Sequence, residues 1–458
     1  MLLAFYDFAF DNTKPTRRSS KMSNVPMTRP EEALAIHETN YFHSSTFVEL
    51  DDGRILHAAG TTFTTSDDGG ITWSEPFQRR DTNGDRVGGG GTSLVNLSGK
   101  GIGLAAMWRS PEDLGRDSYL LFWRSQDAGK TWESPVRVTP PGISTHAYQD
   151  VLLRTLSGRI ILPVYISLGQ STGPNDVKPP ASGKLVNGQW VSTAAHFFDP
   201  RFSCSYVCYS DDDGRTWQRN KDGELIILFD WNATYSYTNE PSVTEVGAGK
   251  LLMFMRSGLG RLFCAWSYDN GETWTRPQPT SLASSTAPSQ IRTLPNGHLL
   301  VVWNQESEDE VKRGYNRTRL SSAISRNGGS VWEFFQNVES IHEETRVEPG
   351  PIRPVRPAEY HFEPGTPSPE REREHILSAN FHGRWSYPSV LVMKDRVLIA
   401  HTYSVYEEHQ TRAELILSSR KEGGFNQKLK VLPLTWFYGG KEPADNPFLP
   451  RAQETAKP

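Results

Sequence analysis

The 458-residue sequence has little cysteine, no long hydrophobic run and no strong excess of either charge. Its three cysteines are too few for a disulfide framework, and Cys204 and Cys208 lack the second ligand pair of a metal site. The net charge is −4, so no basic surface for nucleic acid is expected. No apolar run reaches the roughly 18 residues of a membrane-spanning helix. We therefore expect no metal, no cofactor, no nucleic acid and no membrane span.

The N-terminal segment differs from a secretory signal peptide. Residues 1–6 are apolar, but Asp7 follows directly, and the basic pair Arg17-Arg18 comes after the apolar residues instead of before them. Together with the low cysteine content, this order predicts a cytoplasmic protein. Residues 1–30 are polar and contain proline, and we expect them to form a poorly ordered lead-in.

An eight-residue phrase with the pattern S-x-D-x-G-x-T-W recurs along the chain. In such a phrase the Asp carboxylate can accept backbone N–H groups across a turn, and the Gly supplies a positive φ. The Trp can then pack between neighbouring sheets. The pattern therefore predicts a repeated hairpin turn whose role is structural. Intact copies end at Trp73, Trp132, Trp217 and Trp274, and a weaker copy with Asn327 in place of the Asp ends at Trp332.

A second repeated phrase reads as strand, turn, strand. Six such units of about four strands each predict an all-β fold, a six-bladed β-propeller over residues 31–440 whose chain ends close the ring. Insertions rich in turn residues or charge interrupt the repeat near residues 170–200 and 336–384, and residues 441–458 form a tail. The six phrases begin near Thr46, Ser93, Asp150, Ser242, Gln290 and Ser389.

Polar and aromatic side chains stand where the inner strands of the six blades begin. Because inner strands start at one end of the central channel, these residues are expected to surround a common pocket. Arg256 ends a strand too apolar to face water, so it needs an anionic ligand or a carboxylate partner such as Glu240. The residues at the strand starts include His43, Asp85, His146, Glu240, Gln290 and Tyr387.

The repeated turn resembles the Asp-box (BNR) repeat of sialidases, and the segment from Glu240 to Trp274 follows the order of that family. The resemblance implies that Tyr387 is a nucleophile activated by Glu240. It also implies an acid/base Asp, for which Asp85 or Asp81 lies in the right interval.

Sialidases also bind the substrate carboxylate with three arginines. The resemblance assigns Arg256 as the second, and Arg317 or Arg319 as the third. His43 stands where the family carries the first, and a histidine lacks the planar, permanently charged fork of an arginine.

The sequence thus predicts an enzyme, a sialidase-like exo-glycosidase that hydrolyses a terminal, acidic sugar from a glycan. His146 and Gln290 would contact the substrate. In an alternative, His43, His146 and Tyr387 act as acids and bases in a glycosidase or lyase for a uronic acid or rhamnose terminus. In a third, the propeller binds glycans without catalysis, because the fold does not fix the function.

Overall fold

The computed structural model describes residues 32–39, 45–109, 118–140, 145–168, 184–186, 189–191, 202–221, 225–229, 235–236, 238–312, 315, 317–353, 383–405 and 426–442. Nearly all of the regular structure in these ranges is β-strand. Within them, no helix is long and apolar enough to cross a bilayer.

The first half of the chain forms β1 and the first three blades. Each blade is an antiparallel sheet whose strands follow one another in sequence order. The strands are β1 (Ala35–Thr39), β2 (Ser45–Glu49), β3 (Ile55–Ala59), β4 (Thr62–Ser66), β5 (Phe77–Gln78), β6 (Gly90–Asn96), β7 (Ile102–Arg109), β8 (Ser118–Ser125), β9 (Val136–Arg137), β10 (Thr145–His146), β11 (Leu153–Arg154), β12 (Ile160–Leu168), β13 (Lys184–Val186), β14 (Gln189–Val191), β15 (Phe202–Ser210) and β16 (Gln218–Arg219).

The second half forms the fourth, fifth and sixth blades. Two small hairpins, β13 with β14 and β17 with β18, lie outside the blades. The elements are β17 (Leu228–Phe229), β18 (Tyr235–Ser236), β19 (Asn239–Gly247), β20 (Lys250–Arg256), β21 (Arg261–Ser267), β22 (Gln278–Ala283), β23 (Gln290–Thr293), β24 (Leu299–Asn304), helix α1 (Glu308–Lys312), β25 (Arg319–Ser325), β26 (Glu333–Ser340), β27 (Gly383–Val392), β28 (Arg396–Val405), β29 (Asn426–Pro433) and a 3-10 helix (Leu434–Tyr438).

The N-terminal strand closes the ring. Strand β1 pairs antiparallel with β29, from Ala35 opposite Val431 to Thr39 opposite Gln427, so the sixth blade has the order β27-β28-β29-β1. Strand β1 covers the edge of β29 that would otherwise be unpaired, and it joins the N-terminal part of the described chain to the last blade. The predicted six-bladed β-propeller is confirmed.

Hydrophobic clusters fill the junctions between successive blades. Where the sixth blade meets the first, Leu398 and Val431 pack against Phe47 and Ile55. At the next junction, Trp132 from a repeated turn packs among residues of the first two blades. The core of the molecule is therefore a circle of interfaces between sheets, which keeps the inner strands in fixed positions around the axis.

The repeated turn has the contacts predicted from its pattern. In the first copy, Asp68 Oδ1 accepts hydrogen bonds from the backbone N–H groups of Ile71 (3.0 Å) and Thr72 (2.8 Å), and Trp73 Nε1 donates to Gly70 O (3.2 Å). Burial disfavours the charged form of Asp68, but hydrogen bonds from Thr72, Ser66 and Ile71 outweigh it and lower the pKa of this carboxyl to about 2. The turn therefore keeps its ionised form at neutral pH.

The inner strand of the third blade is interrupted. Strand β10 pairs with the end of β12 at Tyr165 and Ile166, and β11 pairs with its beginning at Ile160 and Ile161. Residues 147–152, which we call the crossing segment, lie between them and outside the regular pairing. Gly91 of the second blade packs against this segment, because a β-carbon there would lie 2.5 Å from Ala147 O.

Candidate active site

Tyr387 projects from an irregularity in the inner strand of the sixth blade. The pairing of β27 with β28 shifts register between Ser386 and Ser389, and Tyr387 has φ of 57° within that shift. A β-bulge of this kind turns a side chain away from the regular alternation of a strand. The phenol of Tyr387 is half-buried.

Glu240 connects Tyr387 to Arg256. Tyr387 Oη donates a hydrogen bond to Glu240 Oε1 at 3.3 Å, and Arg256 Nη1 donates to Glu240 Oε2. Strand pairing explains the contact, because Asn239 at the start of β19 lies opposite Arg256 at the end of β20. The side chains of Glu240 and Arg256 are each only 6% exposed. The ion pair that the sequence predicted as one interpretation of Arg256 is therefore present. Arg256 occupies one oxygen of the Glu240 carboxylate, and the other oxygen accepts the hydrogen bond from Tyr387.

Arg317 lies over the ring of Tyr387. Its guanidinium carbon is 5.2 Å from the ring centroid, and its Nη2 donates to Thr286 O at 3.1 Å. Arg317 precedes β25 and has φ of 63°. Arg319 is fully buried and pairs with Glu310 at 2.8 Å, so it belongs to the interior of the fifth blade. Of the two alternatives, the structure brings Arg317 to the site.

Three further aromatic rings lie near Tyr387 and Glu240. The ring of His146 stacks on Tyr165 at 5.4 Å, with His146 Nδ1 3.2 Å from Met107 Sδ. Burial, followed by the nearby Glu240 and Tyr387, raises the pKa of Tyr165 well above its ordinary range. The same causes raise the pKa of Tyr148, whose ring lies 5.8 Å from that of Tyr387. Tyr165 and Tyr148 are therefore neutral at physiological pH, and each hydroxyl can donate one hydrogen bond as well as accept one.

The structure does not bring Asp85 or Gln290 to this group. Asp85 lies exposed on a turn whose Asp81 accepts hydrogen bonds from Asp85 N (3.1 Å) and Trp123 Nε1 (3.2 Å). That turn packs against the second blade, where Asp81 bridges to Trp132. The acid/base role of Asp85 stays a prediction.

Gln290 is completely buried beneath the site. Its Nε2 donates to Gln149 O at 2.9 Å, and its Oε1 accepts from Arg292 at 2.7 Å. These bonds make Gln290 a partner of the crossing segment, and its predicted contact with a substrate stays a prediction. His43 lies outside the described residues.

Comparison with known proteins identifies the family and the fold of the chain. The BNR repeat-like domain family matches residues 105–399, more than half of the chain. The chain belongs to the BNR repeat-like domain family of the sialidase superfamily. A sialidase of Bacteroides fragilis is 24% identical to this BNR propeller over 244 residues. The alignment covers 51% of this chain and 37% of the relative, so the chain spans well under half of that enzyme's length.

Solved structures share the fold of this BNR propeller at low sequence identity. Hadza microbial sialidase Hz136 has a TM-score of 0.51 and 15% identity, covering 89% of this chain and 67% of its own. The NanB sialidase from Streptococcus pneumoniae has a TM-score of 0.51 and 13% identity, covering 92% and 72%. A Dyadobacter fermentans protein of unknown function has a TM-score of 0.50 and 17% identity, covering 88% and 98%. These likenesses show the fold.

Sequence reasoning missed Glu306, a buried carboxyl beside Arg317 in this BNR propeller. Glu306 is 1% exposed, and its Oε1 accepts a hydrogen bond from Thr318 N at 2.8 Å. Burial raises the pKa of Glu306 to about 7, although the bond from Thr318 favours the charged form. The available signal was a Glu two residues after the apolar strand β24, where a carboxylate requires a partner or a proton.

Replacing Glu306 with glutamine is expected to have a more favourable effect on the free energy of unfolding at pH 8 than at pH 4. The folded-state pKa of about 7 lies above the ordinary value of 4.5, so the folded protein binds one more proton between these values and wild-type stability falls as pH rises through them. The change in the free energy of unfolding caused by the substitution should differ between pH 8 and pH 4 by roughly 2–4 kcal/mol. Urea denaturation of wild type and Glu306→Gln at both pH values measures it. An equal difference at both pH values contradicts the buried, protonated carboxyl.

Proposed function

We propose that this propeller is a sialidase-like exo-glycosidase that hydrolyses a terminal, acidic sugar from a glycan. The observation that carries the proposal is the hydrogen bond from Tyr387 Oη to Glu240 Oε1, with Arg256 on the second carboxylate oxygen. This arrangement pairs a nucleophile with a base, and the base is itself oriented by a third group. Glu240 and Arg256 come from the fourth blade and Tyr387 from the sixth, so these contacts join two blades that are not neighbours in the ring.

The chemistry follows from the charges at the site. Tyr387 Oη attacks the anomeric carbon, the bond from that carbon to the leaving-group oxygen breaks, and the phenolic proton passes to Glu240. A neutral phenol approaches a carbon that carries a carboxylate without the repulsion an anionic Asp or Glu would meet. The leaving-group oxygen takes a proton from a general acid, a role for which Asp85 is the candidate from the sequence resemblance alone. Water then attacks the anomeric carbon and gives its proton to the now ionised acid, while the bond from that carbon to Tyr387 Oη breaks and the phenol recovers its proton from Glu240.

The preference for an acidic sugar rests on two arginines. Arg256 and Arg317 approach Tyr387 from two sides, one through Glu240 and the other over the ring. Their guanidinium groups offer the planar forks that match a carboxylate. A sugar carboxylate bound beside Tyr387 would therefore have a guanidinium group on each of two sides.

A panel of fluorogenic 4-methylumbelliferyl glycosides tests this function. We expect the wild-type protein to release the fluorophore from the sialic acid glycoside and not from glycosides of neutral hexoses. No release from any acidic sugar would contradict a glycosidase of this type. Glycan binding without turnover would then favour the non-catalytic propeller.

A second chemistry is favoured by the stacked pair of His146 and Tyr165, which places an imidazole beside the pocket. Such a group could remove a proton from a uronic acid in an elimination. Incubation with oligosaccharides that end in a uronic acid or rhamnose distinguishes the two reactions. Elimination gives an unsaturated product that absorbs in the near ultraviolet, and hydrolysis does not.

A further inference from the structure

We propose that Gln149 is a positioning residue for Tyr387, and that the crossing segment from the third blade sets the direction of the nucleophile in the sixth. The proposal rests on the function proposed above, because it concerns how Tyr387 is held for its reaction. The evidence is a set of buried hydrogen bonds that joins the two blades across the axis.

Three consecutive residues of the crossing segment bind the strand that carries Tyr387. Tyr148 Oη donates to Pro388 O at 2.7 Å, and Gln149 Nε2 donates to Tyr387 O at 3.0 Å. Asp150 Oδ2 accepts from Val390 N at 2.8 Å. In a ring of six consecutive blades the third lies opposite the sixth, so these bonds span the channel.

The sheet of the sixth blade cannot hold Tyr387 by itself. Residues 387 and 388 fall in the gap of the β27–β28 register, so β28 offers them no regular partner. A tyrosine with φ of 57° is also strained by about 1–2 kcal/mol relative to an extended residue. Such a conformation persists only when its surroundings determine it. The bonds from Gln149 and Tyr148 supply the missing partners of the two carbonyl groups.

The crossing segment is itself fixed from the other blades. Thr46 of the first blade donates to Asp150 Oδ1 at 3.0 Å, and Asp150 N donates to Thr92 O of the second at 3.1 Å. Arg292 of the fifth blade donates to Asp150 Oδ2 at 2.6 Å. The segment is therefore a rigid support, and a nucleophile bound to it is held in place before the substrate arrives.

Gln149 offers the sharpest test, because its amide contacts the backbone of Tyr387 and is 4% exposed. In Gln149→Leu we expect kcat to fall about 10- to 100-fold, the range produced by a misplacement of about 1 Å, while KM changes less than twofold. Asn220→Leu is the matched control. Asn220 is 1% exposed and accepts from Val207 N at 3.0 Å in the outer part of the third blade. It should lose stability and keep its kcat.

A second variant gives a readout that a structural role would not change. In Gln149→Glu, a protonated carboxyl can donate to Tyr387 O, whereas an ionised carboxylate cannot. The ratio of variant to wild-type kcat should therefore rise as the pH falls. A constant ratio, or a Gln149→Leu variant that loses only stability and matches Asn220→Leu, would overturn the proposal.

A crystal structure of Gln149→Leu separates this proposal from the proposed function. We expect Tyr387 to leave its positive φ and its Oη to move away from Glu240. If Tyr387 stays at φ near 57° with the 3.3 Å contact intact, the positioning role is wrong, whatever the protein cleaves. If the wild-type protein cleaves no glycoside but Tyr387 moves in the variant, the proposed function fails and the positioning role stands.

Discussion

Replacing Tyr387 with phenylalanine is expected to lower kcat about a thousandfold or more, with a small change in stability. The variant loses the phenolic oxygen that attacks the sugar and donates to Glu240, while the ring remains. The ring contacts with Arg317 and Tyr148 need no hydroxyl, and phenylalanine experiences the same strain at φ of 57° as tyrosine. The lost hydrogen bond should lower stability by about 1 kcal/mol.

The measurement is kcat and KM on the best acidic glycoside of the panel, together with urea denaturation. Tyr209→Phe is the matched control, because Tyr209 Oη also contacts a glutamate, Glu272 at 3.3 Å, but in the outer part of the third and fourth blades. The control should keep full activity. Undiminished turnover by Tyr387→Phe would exclude a mechanism with Tyr387 as nucleophile.

The fold was predictable because its signals are local and repeated. Each S-x-D-x-G-x-T-W phrase determines its own turn, as the bonds to Asp68 show. Glu240 and Arg256 were predictable together because they lie at the paired start and end of neighbouring strands. Tyr387 was predictable from its place just before the repeated phrase at Ser389, although the irregularity of β27 that holds it there was not.

The details of the site depend on contacts that have no sequence pattern. Arg317 and Arg319 are two residues apart, and only the position of Glu310 and the positive φ of Arg317 decide which of them reaches Tyr387. The role of Gln290 depends on a crossing segment that interrupts a strand. The residues of the crossing segment are similar to those of a strand. The sequence therefore predicted that a strand begins near Asp150 and did not predict the interruption.

Breaking the ion pair of Glu240 and Arg256 is expected to lower both the stability and the activity of the protein. Arg256→Met leaves the carboxylate of Glu240 buried without its partner, so the free energy of unfolding should fall by about 3–5 kcal/mol. If Arg256 also binds the substrate carboxylate, kcat/KM should fall roughly 30- to 1,000-fold, equivalent to about 2–4 kcal/mol.

The double variant Glu240→Gln/Arg256→Met separates these two roles. Neutralising the carboxylate removes the unpaired charge, so we expect most of the lost stability to return. Activity should stay low, because the variant lacks the base for Tyr387 and one guanidinium for the substrate. Denaturation and kcat/KM of the four proteins in the cycle provide the comparison. Recovery of activity together with stability would mean that the pair serves only the fold, and a catalytic role for Glu240 would then be untenable.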